Sequence, residues 1–367
     1  MTQEQLLAYL REIPGADRAA MDVAQRRQAA LAKPPGSLGK LEEIAIRLAG
    51  VTGTVRNLVD RRCILVFAAD NGVVAEGVSC APQSVTCSQA VNMTKRLTGM
   101  SSMARSFGDE VRVVDVGMVQ RPHCEALISR RVRAGTGNLA REPAMTRQEV
   151  LQAMAVGMEQ AAQAKRDGMQ AIGIGEMGIG NTTTSAAVLC ALTGAPVNAV
   201  TGRGGGLTDD GFFQKLRVIG DALALHKPDP ADPVDCLAKV GGLDLAAMTG
   251  AFLACAKLRV PAVVDGLISI VAALCAVRLC SRVRDVLFLS HASCEPGYRL
   301  AADELALSPC LLLDMRLGEG SGCPLQFQVM RAACAVMNGM ATFAEAAIQD
   351  GYLEEIRKID AFTVEKR

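Results

Sequence analysis

The chain has 367 residues, half of them apolar, with 35 glycines, few aromatic residues and no tryptophan. Such a length exceeds one compact domain, and the composition suits an α/β enzyme packed with Ala, Val, Leu and Met rather than a β-sandwich. Lys plus Arg (39) nearly cancels Asp plus Glu (38), and no basic stripe interleaved with aromatics is present, which argues against a nucleic-acid partner.

The first fifty residues are helical in pattern. "MTQEQLLAYLREIPG" carries acids early and reads as an amphipathic helix broken at Pro14 and Gly15, not as a signal peptide. A second helix runs through "MDVAQRRQAALAK" and stops at Pro34 and Pro35. At the other end, "FQVMRAACAVMNGMATFAEAAI" has helical spacing, so the two ends are expected to pack as one small helical lobe.

Between them, short β-branched or apolar runs recur: "CILVFAAD", "VRVVDVG", "AIGIGE", "PAVVDG", "VLFLSH" and "CLLLDM". Helical segments such as "TRQEVLQAMAVGMEQAAQAKRD" separate several of them. About six buried strands alternating with helices predict a parallel sheet covered on both faces. The runs end in side chains able to bind or react: Asp70, Asp115, Glu176, Asp265 and His291, with the last leading through Asp314 to Glu319. Ligands of open α/β sheets lie beyond the carboxyl ends of the strands, so these groups are expected around one cleft.

The longest uncharged run, near "GLISIVAALCAV", is too short to span a bilayer. Thirteen scattered cysteines without a C-x-x-C pair read as reduced thiols, many of them small core hydrophobes. A cytoplasmic location is expected on these grounds. Three histidines without H-E-x-x-H offer no zinc pattern.

"AIGIGEMGIGNTTTSAA" holds a G-x-G-x-x-G at Gly173, Gly175 and Gly178. A dinucleotide site would place an acid about 20 residues further on, for the ribose. "LTGAPVNAVTGRGGG" has none, and Glu176 inside the loop would repel a pyrophosphate. An NAD-linked oxidoreductase is thereby disfavoured. What remains is a glycine loop with Asn181 and Thr182 as N-cap candidates, suited to one phosphate at a helix N-terminus. A second loop, "TGRGGGLTDDGFFQK", sets four glycines ahead of Lys215. Taken alone, the glycines serve equally well as tight turns.

With these motifs, "KPPGSLGKLE", "AADNGVVAEGVSCAPQSVTCSQAVNM" and "DMRLGEGSG" resemble the nicotinate-nucleotide–dimethylbenzimidazole phosphoribosyltransferase family, which makes the nucleotide loop of cobalamin. The resemblance implies a large α/β domain (59–324) with a mainly parallel, Rossmann-like sheet, and a small helical domain from both termini (1–58 and 325–367). It also implies a homodimer that needs no cofactor and no metal. The reaction implied moves phosphoribose from nicotinate mononucleotide to 5,6-dimethylbenzimidazole, giving α-ribazole 5′-phosphate and nicotinate. By the same resemblance Glu319 is the general base and Glu176 belongs to the active site, to stabilise positive charge near C1′ or to orient the incoming base. Lys215 is the phosphate contact and Gln89 a contact in the base pocket. Gly175, Gly178, Gly204, Asn181, Leu317 and Ser293 are the remaining substrate-binding positions.

Each residue also has a plainer reading. Glu319 beside glycines suits a turn, Glu176 a helix-dipole partner, Lys215 a solvated surface lysine and His291 a structural hydrogen-bonding residue. A catalytically weak paralogue that senses nucleotide or base is the alternative at the level of function. The chain departs from the family at Asn71, where His is common, and at Ala81, where some members carry a hydroxyl. Loss of a polar contact makes the base pocket more apolar and opens the choice of acceptor base.

Overall fold

The computed structural model describes residues 1–358; the part of the expected small domain at 359–367 lies outside them. Six strands form one sheet: β1 (Arg62–Ala69), β2 (Glu110–Gly117), β3 (Ile128–Ser129), β4 (Ala171–Met177), β5 (Ala262–Val264) and β6 (Leu287–Leu289). Their order is β3-β2-β1-β4-β5-β6, and every pairing is parallel. All eight residues of β1 and all seven of β4 are buried. A central parallel strand is covered on both faces and reads as a continuous apolar run for that reason.

Five of the six predicted runs are strands. "CLLLDM" is not: it makes a single parallel bridge, Leu311 to His291, and then leaves the sheet with Leu312 82% exposed. The sixth strand is instead β3, whose two residues are too few to show a period. The long C-terminal helical pattern is also shorter than expected. Its helix, Cys323–Gly339, ends at the poor helix formers Asn338 and Gly339, and Thr342 then pairs with Leu31.

That bridge joins the two ends of the described chain. The helix Arg18–Ala30 stops before the prolines, the amide of Ala32 donates to Ala341 O, and that of Phe343 donates to Ala30 O. On one side of the sheet, Arg147–Arg166 and Leu243–Lys257 cross with their backbones nearly touching. A Cβ at Gly157 would lie 1.8 Å from Ala247 O, and one at Gly250 would lie 2.0 Å from Met154 O. Among the described residues no helix is long and apolar enough to cross a membrane.

Candidate active site

The chain leaves β1 toward β2 and β3 on one side and leaves the neighbouring β4 toward β5 and β6 on the other. Chains that diverge from neighbouring carboxyl ends leave a crevice between them. A cavity of about 580 Å³ lies there. Val85, Met177, Ile179, Leu267, Ile268 and Leu317 make one part of its wall apolar. Thr182, Gly204, Gly205, Ser293, Glu295 and Arg316 make another part polar, and Gln89, Glu176 and Glu319 also line it.

Glu319 is held in place by a turn. Gly318, Glu319 and Gly320 have φ of 78°, 62° and 80°, a left-handed run that costs a non-glycine residue energy. Asp265, just past β5, holds the turn from below, accepting the amides of Gly320 (2.9 Å) and Gly322 (2.7 Å). Gly175 in β4 lets the turn come close, because a Cβ there would stand 2.6 Å from the Gly320 backbone. The Glu319 carboxylate is buried and accepts the Gln89 amide at Oε1 (3.2 Å), while Oε2 has no partner. Asn92 donates to Gln89 Oε1 (3.2 Å), which turns the amide nitrogen of Gln89 toward Glu319. Burial raises the Glu319 pKa, and the side chains of Gln89 and Thr98 close to the carboxylate partly offset this.

Glu176, next to last in β4, lies directly beneath. Its Oε2 accepts from Asn181 Nδ2, and its Oε1 lies 3.4 Å from the Glu319 amide. Burial, then the nearby Asp244 and Asp265 carboxylates, push its pKa up to about 8. Asn181 is therefore not the N-cap: Gly180 is, at φ 89°, and the Asn181 side chain turns back to Glu176.

At the polar part of the wall, Lys215 is fully buried rather than on the surface. Its Nζ donates to Thr182 Oγ1 (2.8 Å) and to Gly202 O (3.0 Å). It sits behind Gly204, 3.8 Å from where a Cβ would be. Burial pulls its pKa down to about 8, against the pull of Glu295. The two glycine loops thus meet at one buried cation.

Of the ten expected site residues, eight line the cavity: Glu319, Glu176, Gln89, Gly178, Gly204, Asn181, Leu317 and Ser293. Gly175 and Lys215 stand behind its wall. The expected single cleft of strand-end groups is only partly formed. Asp70 is turned to the Val119 amide (2.7 Å), and Asp115 pairs with Arg131 (2.9 Å) beside a separate cavity. His291 is buried against Ser290 and Tyr298, as its plainer reading has it. Asn71, expected to shape the base pocket, does not line it; its side chain donates to Ile179 O (3.3 Å), whereas Ala81 does line it. Glu295 and Arg316 were missed. The acid of "SCEPG" lies close beyond a strand end, and that position is the signal that points to it.

Because Gly175 is the contact point between β4 and the turn, Gly175→Ala is expected to cost about 1–3 kcal/mol in urea unfolding. An unchanged midpoint would show that the turn yields freely.

A family model described as Phosphoribosyltransferase matches residues 13–348. A nicotinate-nucleotide–dimethylbenzimidazole phosphoribosyltransferase of Clostridium perfringens is 47% identical over 355 residues, 97% of this chain and 98% of that protein. One from Geobacter sulfurreducens is 46% identical over 347 residues, 94% and 99% of the two chains. The crystal structure of CobT from Thermus thermophilus superposes with a TM-score of 0.87 at 41% identity, covering 91% of this chain and 100% of that one. Over nearly its whole described length, the chain belongs to the nicotinate-nucleotide–dimethylbenzimidazole phosphoribosyltransferase family.

Proposed function

We propose that this protein transfers phosphoribose from nicotinate mononucleotide to 5,6-dimethylbenzimidazole, releasing nicotinate and forming α-ribazole 5′-phosphate. The observation that carries this reading is the free, buried Oε2 of Glu319, facing a cavity with an apolar portion for a flat base and a buried lysine at its polar side. The benzimidazole lies against the apolar wall with one ring nitrogen behind C1′ and the other, protonated, toward Glu319. As the first nitrogen bonds to C1′, the C1′–pyridinium bond breaks and its electron pair neutralises the departing ring nitrogen. Glu319 takes the benzimidazole N–H proton, and burial makes it a stronger base than an exposed glutamate. Attack opposite the leaving group inverts the anomeric centre.

Glu176 carries its proton at neutral pH on this reading and is a neutral hydrogen-bonding partner. That leaves Glu319 as the charged carboxylate of the pair and assigns Glu176 to holding Asn181 and the Glu319 turn. Lys215, with the glycine loops, takes the 5′-phosphate. It has no carboxylate within ion-pair distance among the described residues, so a phosphate arriving beside it meets a cation that no ion pair has already neutralised.

Three coarser features belong to the same reading. The ends form a small lobe (1–58 and 325–367) on the larger unit (59–324), supported by the Leu31–Thr342 bridge. The protein acts in the cytoplasm, supported by its free cysteines. It works as a homodimer, supported by the exposed Leu97, Leu312, Leu313 and Leu317, the last of which borders the cavity.

Glu319→Gln is expected to lower kcat by roughly 10²–10⁴-fold in a chromatographic assay of nicotinate release. Near-normal turnover would remove the base assignment, and no turnover by the parent protein with any base would favour a sensor. Lys215 is charged below its pKa of about 8 and neutral above it, so KM for the nucleotide should rise as pH passes upward through that value; a flat KM to pH 9.5 (about 1.5 units beyond it) would contradict the phosphate role. Light scattering should report twice the chain mass, and a monomer at working concentration would remove the dimer.

A further inference from the structure

Among the described residues, five buried carboxylates keep an oxygen without a partner: Asp70, Asp109, Asp244, Glu295 and Glu319. Four of them hold a donor on the other oxygen, from the Val119 amide, Arg62, the Leu245 amide and Gln89 respectively. Glu295 differs, since no donor among the described residues reaches either of its carboxylate oxygens. It is only 8% exposed, and it lines both the main cavity and a smaller adjoining one of about 400 Å³. Its Oε2 is shut off from solvent without a partner, which is costly, and the retention of such a carboxylate at a cavity wall points to a donor that arrives with the ligand.

Its position is well defined. The Glu295 amide donates to Ser293 Oγ (3.3 Å), and its carbonyl accepts the Tyr298 amide (3.0 Å). A Cβ at Gly202 would lie 2.0 Å from Glu295 Oε2, so only glycine there leaves room for the carboxylate. Lys215 donates to the carbonyl of that same Gly202. Glu295 therefore stands one peptide away from the phosphate-binding lysine without an ion pair to it.

We propose that Glu295 accepts the ribose hydroxyls of the donor nucleotide and makes the site require a ribonucleotide. The assignment rests on the reaction proposed above and follows from counting donors. The 5′-phosphate and the ring carboxylate of nicotinate mononucleotide are acceptors only, and a carboxylate repels both. The benzimidazole N–H goes to Glu319. Among the polar groups, that leaves the ribose 2′- and 3′-hydroxyls, which lie between the phosphate and C1′ as Glu295 shares its wall with both the lysine loop and the Glu319 turn. A carboxylate receiving a vicinal diol is an established solution in nucleotide sites.

The test compares nicotinate mononucleotide with its 2′-deoxy and 3′-deoxy forms on the parent protein, Glu295→Ala and Glu295→Gln. The parent should lose roughly 10–100-fold in kcat/KM with at least one deoxy donor, the worth of a hydrogen bond to a charged group. Glu295→Ala should lose a similar factor on the ribonucleotide and bring the ribo/deoxy ratio near unity. Glu295→Gln keeps one acceptor oxygen and the side-chain shape, so it should fold where alanine does not and retain part of the ratio. A ratio undiminished in Glu295→Ala, or in Glu295→Gln where alanine does not fold, overturns the proposal. So does a parent that accepts both deoxy donors as well as the ribonucleotide, or a variant whose only change is weaker inhibition by inorganic phosphate, which would mark a charge partner of Lys215. If the parent fails to turn over the ribonucleotide, the reaction itself is wrong, and the same ratio measured by calorimetric binding still decides the role of Glu295.

Discussion

The grip of Asp265 on the amides of Gly320 and Gly322 is the constraint on which the rest of the site depends. Three successive left-handed residues would not hold their shape alone, and glutamate is a poor choice for the middle one. A buried carboxylate accepting two backbone N–H groups compensates for that conformation and hides its own charge. The result projects Glu319 into the cavity with one oxygen held by Gln89 and the other free. Gly175 completes the arrangement from β4 by giving up a side chain, so the turn rests directly on the sheet.

Carboxylates accumulate beneath this turn. Glu176, Asp244 and Asp265 are all buried and all raised in pKa, and the first two feel other acids nearby. Burial and mutual repulsion in so crowded a region favour the protonated acids, and Glu176 is among those pushed up. Around Lys215 the logic is reversed. Lys215 is desolvated, bonded only to neutral oxygens and covered by a glycine, so its charge is directed at whatever enters. The cavity thus has a buried cation behind its wall and a carboxylate in the wall itself, and on the proposed reading a phosphorylated nucleotide meets both in one orientation.

A sheet of order 3-2-1-4-5-6 explains why these groups meet although they are far apart in the chain. Glu176 is next to last in β4, Asp265 follows β5, Glu295 follows β6, and Glu319 arrives on the segment after that. The first three lie at or shortly past strand ends, which parallel strands bring to one side, and Glu319 is carried to the same side by the turn that rests on Gly175.

By itself the sequence determined five of the six strands, because buried parallel strands are continuous apolar runs, and it determined the family, because several long motifs stand in the same order. The glycine loops, Glu319 and Glu176 were legible for that second reason alone; as isolated residues they read equally well as turns. Tertiary structure decided what no local pattern encodes. It buried Lys215 behind Gly204, sent Asp115 and His291 away from the cavity, and replaced the apolar "CLLLDM" with the two residues of β3 as the sixth strand. It also left the Glu295 carboxylate without a partner. Burial and pairing depend on which distant segments cover a side chain, and that is a property of the packed sheet and its crossing connections rather than of any stretch of chain.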